Sequence, residues 1–110
     1  MTQWTDSILV SEGQTVHTTV LIRSEKEPSL IFQVSHPSIS LSSLWDGNSF
    51  VSTIQEGSDF ILSQTFVVGV ENEYQYRISY RVTTSGTSEI LATSADYCEF
   101  LETSFKVMEV

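Results

Sequence analysis

Alternation of apolar and polar residues with a period of two recurs along this chain and limits what it can fold into. The most regular example is YQYRISYRV, residues 74–82, in which apolar or aromatic side chains alternate with Gln75, Arg77, Ser79 and Arg81. Successive side chains of a β-strand point to opposite faces of its sheet, so the pattern predicts a strand with one apolar and one polar face. No segment shows the 3.6-residue period of an amphipathic helix.

Turn-forming residues separate the alternating segments at short intervals. Asp46-Gly47 is a strong hairpin signal because glycine accepts positive φ, and TTSGTS, residues 83–88, predicts a further hairpin. Many short antiparallel strands in one chain predict an all-β, two-sheet antiparallel sandwich, Ig-like or jelly-roll-like, with about eight to ten short strands.

The length and composition predict a single domain over residues 1–110. The hydrophobic fraction is 40%, which is enough for a buried core. No internal repeat or linker divides the chain, and 110 residues is a typical domain size.

The charge balance indicates which partners the chain binds. Five Lys or Arg stand against fourteen Asp or Glu, which gives a net charge of −9. An acidic surface repels nucleic-acid phosphates and anionic lipid headgroups. We therefore expect a protein partner, with no nucleic acid and no direct membrane insertion.

Cysteine use and the N-terminus indicate a cytoplasmic setting. Cys98 is the only cysteine, so an internal disulfide is excluded, as is typical of a reducing compartment. The first ten residues carry no basic flank and no long apolar run, which argues against a signal peptide. No window approaches the roughly 18 consecutive apolar residues of a membrane span.

The sequence contains no convincing catalytic or metal-binding pattern. Cys98 lies in the apolar run YCEFL, where a free cysteine usually acts as a small hydrophobic residue. His17 and His36 lack metal-ligand spacing, and we expect each of them to be exposed or to cap a turn. Asp46 and Asp59 are interpreted as turn residues. We therefore expect no enzyme activity, no cofactor and no metal.

Arg77 and Arg81 are candidate partner-binding residues. Their Cα atoms would lie about 13 Å apart along one strand, too far to clamp a single small carboxylate together. With fourteen acidic residues available, pairing with acids on neighbouring strands, or simple solvation, is the favoured explanation. The alternative is that both arginines recognise an extended acidic segment of a partner.

Trp45, beside the Asp46-Gly47 turn, is a third candidate. An exposed indole at this position would stack on a sugar ring or anchor a partner protein. The alternative is that Trp45 folds inward and closes the end of the sandwich.

Part of the chain resembles the GOLD domain, a β-sandwich associated with Golgi dynamics. The resemblance is carried by VSEGQTVHTTVLIRSEKEPSLIFQVSHPSISLS, Val10 to Ser42, and by the ending SFKVMEV, which is similar to the closing strand of that family. It implies a non-enzymatic module for protein–protein contact in membrane trafficking.

The sequence thus favours a non-enzymatic protein–protein interaction or adaptor module that binds a partner through a sheet face or edge. One alternative is a carbohydrate-binding module that uses Trp45 and loop tyrosines. Another is a structural subunit of a viral or other assembly.

Overall fold

The structure is a computed structural model, and every strand that it describes belongs to one of two sheets. It describes the backbone of residues 2–37, 39–45, 49–55, 61–94 and 98–108, and their side chains except those of residues 39, 52–55, 61–66 and 108. The strands in these residues are β1 (Thr2–Val10), β2 (Thr15–Arg23), β3 (Leu30–His36), β4 (Ile39–Trp45), β5 (Phe50–Gln55), β6 (Ile61–Val68), β7 (Glu73–Arg81), β8 (Gly86–Ser94) and β9 (Glu99–Met108). No helix occurs in the described residues.

The predicted fold class is confirmed. One sheet has the strand order β1-β8-β3-β4-β5 and the other β6-β7-β2-β9, and every pair is antiparallel. Strand β1 pairs with β8 in one sheet, and β2 pairs with β7 in the other. The consecutive strands β1 and β2 therefore pair with the consecutive strands β8 and β7, with one of these pairs in each sheet.

One expected hairpin is wrong. The stretch at residues 83–88 was expected to join two strands of one sheet, but β7 and β8 lie in different sheets. The same turn chemistry serves a connection between layers, because Gly and Ser allow a tight change of direction in either case. This connection is bonded to the β1–β2 turn, where the Gly13 amide donates to Val82 O (2.9 Å) and the Glu12 amide donates to Ser85 Oγ (3.0 Å).

The hairpin expected at Asp46-Gly47 is consistent with the strands on either side of it. Strand β4 pairs with β5, and Trp45 lies opposite Phe50. Residues 46–48 themselves lie outside the described residues.

The core lies between the sheets and includes the apolar face predicted for residues 74–82. Tyr76, Ile78 and Tyr80 are completely buried, whereas Tyr74 is only partly buried and packs against the core. The Tyr76 hydroxyl donates to the carbonyl of Pro28 (2.8 Å), so this buried polar group is satisfied. The inward face of β7 thus contributes large, well-anchored side chains to the core.

A group of buried hydrogen bonds surrounds His36 near the β7–β8 connection. His36, which was expected to be exposed or to cap a turn, is 4% exposed. Its Nε2 lies 2.7 Å from Thr84 O and its Nδ1 lies 2.7 Å from Ser88 Oγ. Because a carbonyl only accepts, Nε2 carries the proton and Nδ1 accepts from Ser88. These hydrogen bonds therefore join β3 to β8 and to the connection that precedes β8.

The buried hydroxyl of Tyr80 predicts alkaline sensitivity. Burial raises the pKa of Tyr80 to about 12, although the hydrogen bond with Ser88 opposes that rise. The unfolded chain releases this proton near pH 10, so the folded state loses stability as pH rises from 10 to about 12. We expect a loss of about 2–3 kcal/mol in the free energy of unfolding by pH 12.

Urea unfolding between pH 8 and 12 measures this loss in the wild type and in Tyr80→Phe. The variant lacks the buried ionisable group, so its stability should fall less over the upper two pH units. The difference between the two proteins at pH 8 to 9 gives the baseline. Parallel curves up to pH 12 would contradict the assignment.

A second prediction concerns close packing between Gly86 and Pro37. A Cβ atom on Gly86 would overlap Cγ of the Pro37 ring and lie 2.9 Å from its Cδ. We expect Gly86→Ala to lower the free energy of unfolding by about 1–3 kcal/mol because the ring must move. In a Pro37→Ala background the same substitution should cost clearly less, as measured by a double-mutant cycle in urea. Equal costs in both backgrounds would disprove the steric explanation.

Candidate functional site

The outer face of the four-stranded sheet gathers most of the basic residues of this acidic chain. Arg77 and Arg81 lie on β7, His17 on β2 and Lys106 on β9. Strand register places all four on the same side of the sheet, facing away from the core. We call these four residues the basic face. It contains three of the five Lys and Arg residues of the protein.

The register also fixes how the basic face is laid out. His17 lies between Ser79 on one side and Lys106 on the other. From strand spacing, the Lys106 Cα atom is about 12 Å from those of Arg77 and Arg81, which are about 13 Å from each other. The three cations form a triangle with His17 near its centre.

Hydroxyl groups fill the space between the cations. Ser79 Oγ is 2.9 Å from His17 Nδ1. Thr19 lies opposite Arg77, and Thr15 opposite Arg81. Arg81 Nε donates to the carbonyl of Gly13 (3.2 Å), which directs this side chain toward the β1–β2 turn.

Of the two favoured explanations for Arg77 and Arg81, pairing with acidic residues is not seen in the part of the chain described, and both arginines are exposed, as simple solvation predicts. There, ion pairs join only Arg23 to Glu73 and to Glu99, each at 3.8 Å. The neighbours of both arginines on β2 are threonines, and on β6 they are Thr65 and Ile61. Glu73 and Glu99, which pair with Arg23, are the first residues of β7 and β9 and lie away from the centre of the sheet.

The β6–β7 hairpin beside the basic face carries exposed valines. Val67, Val68 and Val70 surround the β6–β7 hairpin and are 47%, 59% and 65% exposed. The hairpin is held by hydrogen bonds from the Gly69 amide to Glu73 O (3.2 Å) and from the Glu73 amide to Val70 O (3.1 Å). We call the three valines the valine tip.

Trp45 does not present its indole to solvent. It is 8% exposed, belongs to the core cluster and packs against Phe50 with ring centroids 5.0 Å apart. Of the two alternatives that the sequence left open, the structure shows the inward one. Tyr76 and Tyr80 are also buried, so none of these rings offers a flat exposed surface for a sugar.

The outer face of the five-stranded sheet carries a shallow depression of about 660 Å³. Half of its lining residues have hydroxyl or amide side chains, and Asp6 and Glu89 are the ionisable ones. This face is neutral to acidic. It therefore lacks the charge contrast that distinguishes the basic face from the rest of the protein.

The described residues contain no group of three or more His, Cys, Asp or Glu side chains arranged to hold a metal ion. Asp46 and Asp59, the turn acids considered above, lie outside these residues. In the same part of the chain, no helix is long and apolar enough to cross a membrane.

Comparison of the chain with protein-family models, with curated proteins and with solved structures gives no match. The functional conclusion therefore rests on the fold and on the basic face.

Two members of the basic face were missed from sequence. Alternation in TVHTTVLIR and SFKVMEV shows that His17 and Lys106 point away from the core. Nothing local shows that they lie beside the arginines, since His17 meets Ser79 across 62 positions of sequence. Only the pairing of β2 with both β7 and β9 reveals the cluster.

Proposed function

We propose that this domain is a non-enzymatic protein–protein interaction module that binds an acidic segment of a partner on the basic face. The observation that carries the proposal is the exposure of Arg77, Arg81 and Lys106 on one sheet face without acidic partners among the described residues. Fourteen acids were available to the sequence, and those that form ion pairs in the described structure do so with Arg23.

The groups on the basic face favour carboxylates as ligands. Arginine and lysine side chains are donors only, and both form strong charge-assisted bonds to carboxylate oxygens. The hydroxyls of Thr15, Thr19 and Ser79 supply neutral donors between the cations. An extended acidic segment would meet several of these donors at once.

The overall charge favours a short acidic segment over a long polyanion. The whole chain carries −9, so nucleic acid and anionic membranes are repelled by most of its surface. Salt screens this repulsion beyond about 8–10 Å, whereas contacts on the basic face act at shorter range. A peptide that covers only this face avoids most of the repulsion.

The resemblance to the GOLD domain supports the same class of function. The segment Val10–Ser42 contributes β2, β3 and the first half of β4, and the first five residues of SFKVMEV end the last strand, β9. We propose a GOLD-like interaction domain on the basis of this resemblance and the two-sheet architecture.

Affinity capture from a lysate of the source cells tests the basic face. We expect wild-type protein to retain partners that Arg77→Gln/Arg81→Gln loses, and added salt from about 0.05 to 0.5 M to release them. Removal of two cations from one contact should lower affinity at least tenfold.

Lys26→Glu is the matched control. It also lowers the net charge by two, but Lys26 is an exposed residue of the β2–β3 connection, away from the basic face. This variant should retain the wild-type partners. If the double arginine variant keeps every partner that the control keeps, the basic face is not the binding surface.

A further inference from the structure

The valine tip lies next to the basic face and points to a second element in the partner. Val67 pairs with Gln75 on β7, which in turn pairs with Leu21 on β2. Because Gln75 shares the outer side of β7 with Arg77, Val67 also lies on that outer side. Val67 thus borders the basic face at the β6–β7 hairpin, at the edge of a row that continues through Gln75 and Leu21 to Glu102.

Exposure of Val67 and Val70 at one hairpin, beside the basic face, indicates a contact surface. Single exposed apolar residues are ordinary, but a cluster bordered by charged residues is typical of a binding site. Val67, 47% exposed, lies on the outer side of the sheet, and Val70, 65% exposed, lies in the adjoining turn, whereas Val68 lies opposite Tyr74 and therefore on the inner side.

The register sets the spacing that a partner must match. Val67 lies opposite Gln75 of β7. From Gln75, Arg77 is two residues further along β7 and Arg81 is six residues further. These steps correspond to about 7 Å and 20 Å. An extended segment repeats the same two-residue step, so its side chains at positions i, i+2 and i+6 would face these three rows.

We propose that the partner is an extended segment of another protein with an apolar residue at position i and acidic residues at i+2 and i+6, read in either chain direction. The apolar side chain packs on the valine tip, and the acidic ones bond to Arg77 and Arg81. This inference rests on the proposed function, because it assumes that the basic face binds an acidic segment.

A second copy of this chain does not supply the required pattern. None of its fourteen acidic residues is four positions away from another, as positions i+2 and i+6 require. The occupant is therefore a different protein, and a strand of about seven residues is long enough to span the face.

Two synthetic peptides test the spacing. The first is acetyl-Leu-Ser-Glu-Ser-Thr-Ser-Glu-amide, which matches the pattern. The second is acetyl-Ser-Ser-Glu-Leu-Thr-Ser-Glu-amide, with the same composition and charge but with leucine moved between the two acids. Titration of the full isotope-labelled chain, followed by amide chemical shifts in NMR, gives Kd for each. We expect the first peptide to bind about tenfold more tightly.

Variants of the protein separate the two contacts. In Val67→Ser/Val70→Ser the preference for the first peptide should disappear, while Arg77→Gln/Arg81→Gln should weaken both peptides at least tenfold. Val51→Ser, which alters an exposed valine on the other sheet, should behave as wild type. The amide spectra report directly that each variant is folded.

The outcomes distinguish this inference from the proposed function. Equal binding of both peptides to wild type, or an unchanged preference in the double valine variant, overturns the apolar contact but leaves the basic face in place. A third arm measures binding to vesicles of anionic phospholipid. If the wild type binds them and the double valine variant does not, the valines contact a membrane and the inference is overturned. Absence of peptide binding to wild type overturns it too, and differential capture then decides the proposed function separately.

Discussion

Burial of the inward face of β7 between the two sheets is the interaction on which the rest of the structure depends. Tyr76, Ile78 and Tyr80 are completely enclosed, and large aromatic side chains contribute more buried area than any other type. A strand cannot turn one set of side chains inward without turning the next set outward. The same burial that stabilises the sandwich therefore holds Arg77 and Arg81 on the outer face, in a fixed register with β2 and β6.

The sequence predicted best those structural features that depend on neighbouring residues. Alternation in residues 74–82 depends only on neighbouring positions, so it correctly predicted which side chains of β7 are buried and that the chain is an all-β sandwich. It could not say whether the turn at residues 83–88 stays within one sheet or crosses to the other. That choice is made by distant partners, β2 for β7 and β1 for β8.

The candidate site was half predicted for the same reason. Arg77 and Arg81 were found because they share one strand, whereas their surroundings depend on strands far away in sequence. Counting acidic residues suggested cross-strand pairing, but the register places Thr19 and Thr15 opposite the two arginines. Trp45 could not be placed at all by a local rule, since its burial depends on Phe50 and on the closing of the core around both rings.

The basic face is distinctive because its positive charges are separated from the acidic residues that dominate the chain. A protein with a net charge of −9 could neutralise its few cations at little cost, as Arg23 shows by contacting both Glu73 and Glu99. At Arg77 and Arg81 the neighbouring positions on β2 are hydroxyl residues, which satisfy polar contacts but leave the positive charge available. Beyond about 8–10 Å a ligand senses a screened, mainly repulsive protein. Under the proposed function, attraction acts only on a segment that reaches the sheet itself, so the acidic surroundings would favour short acidic segments over extended polyanions.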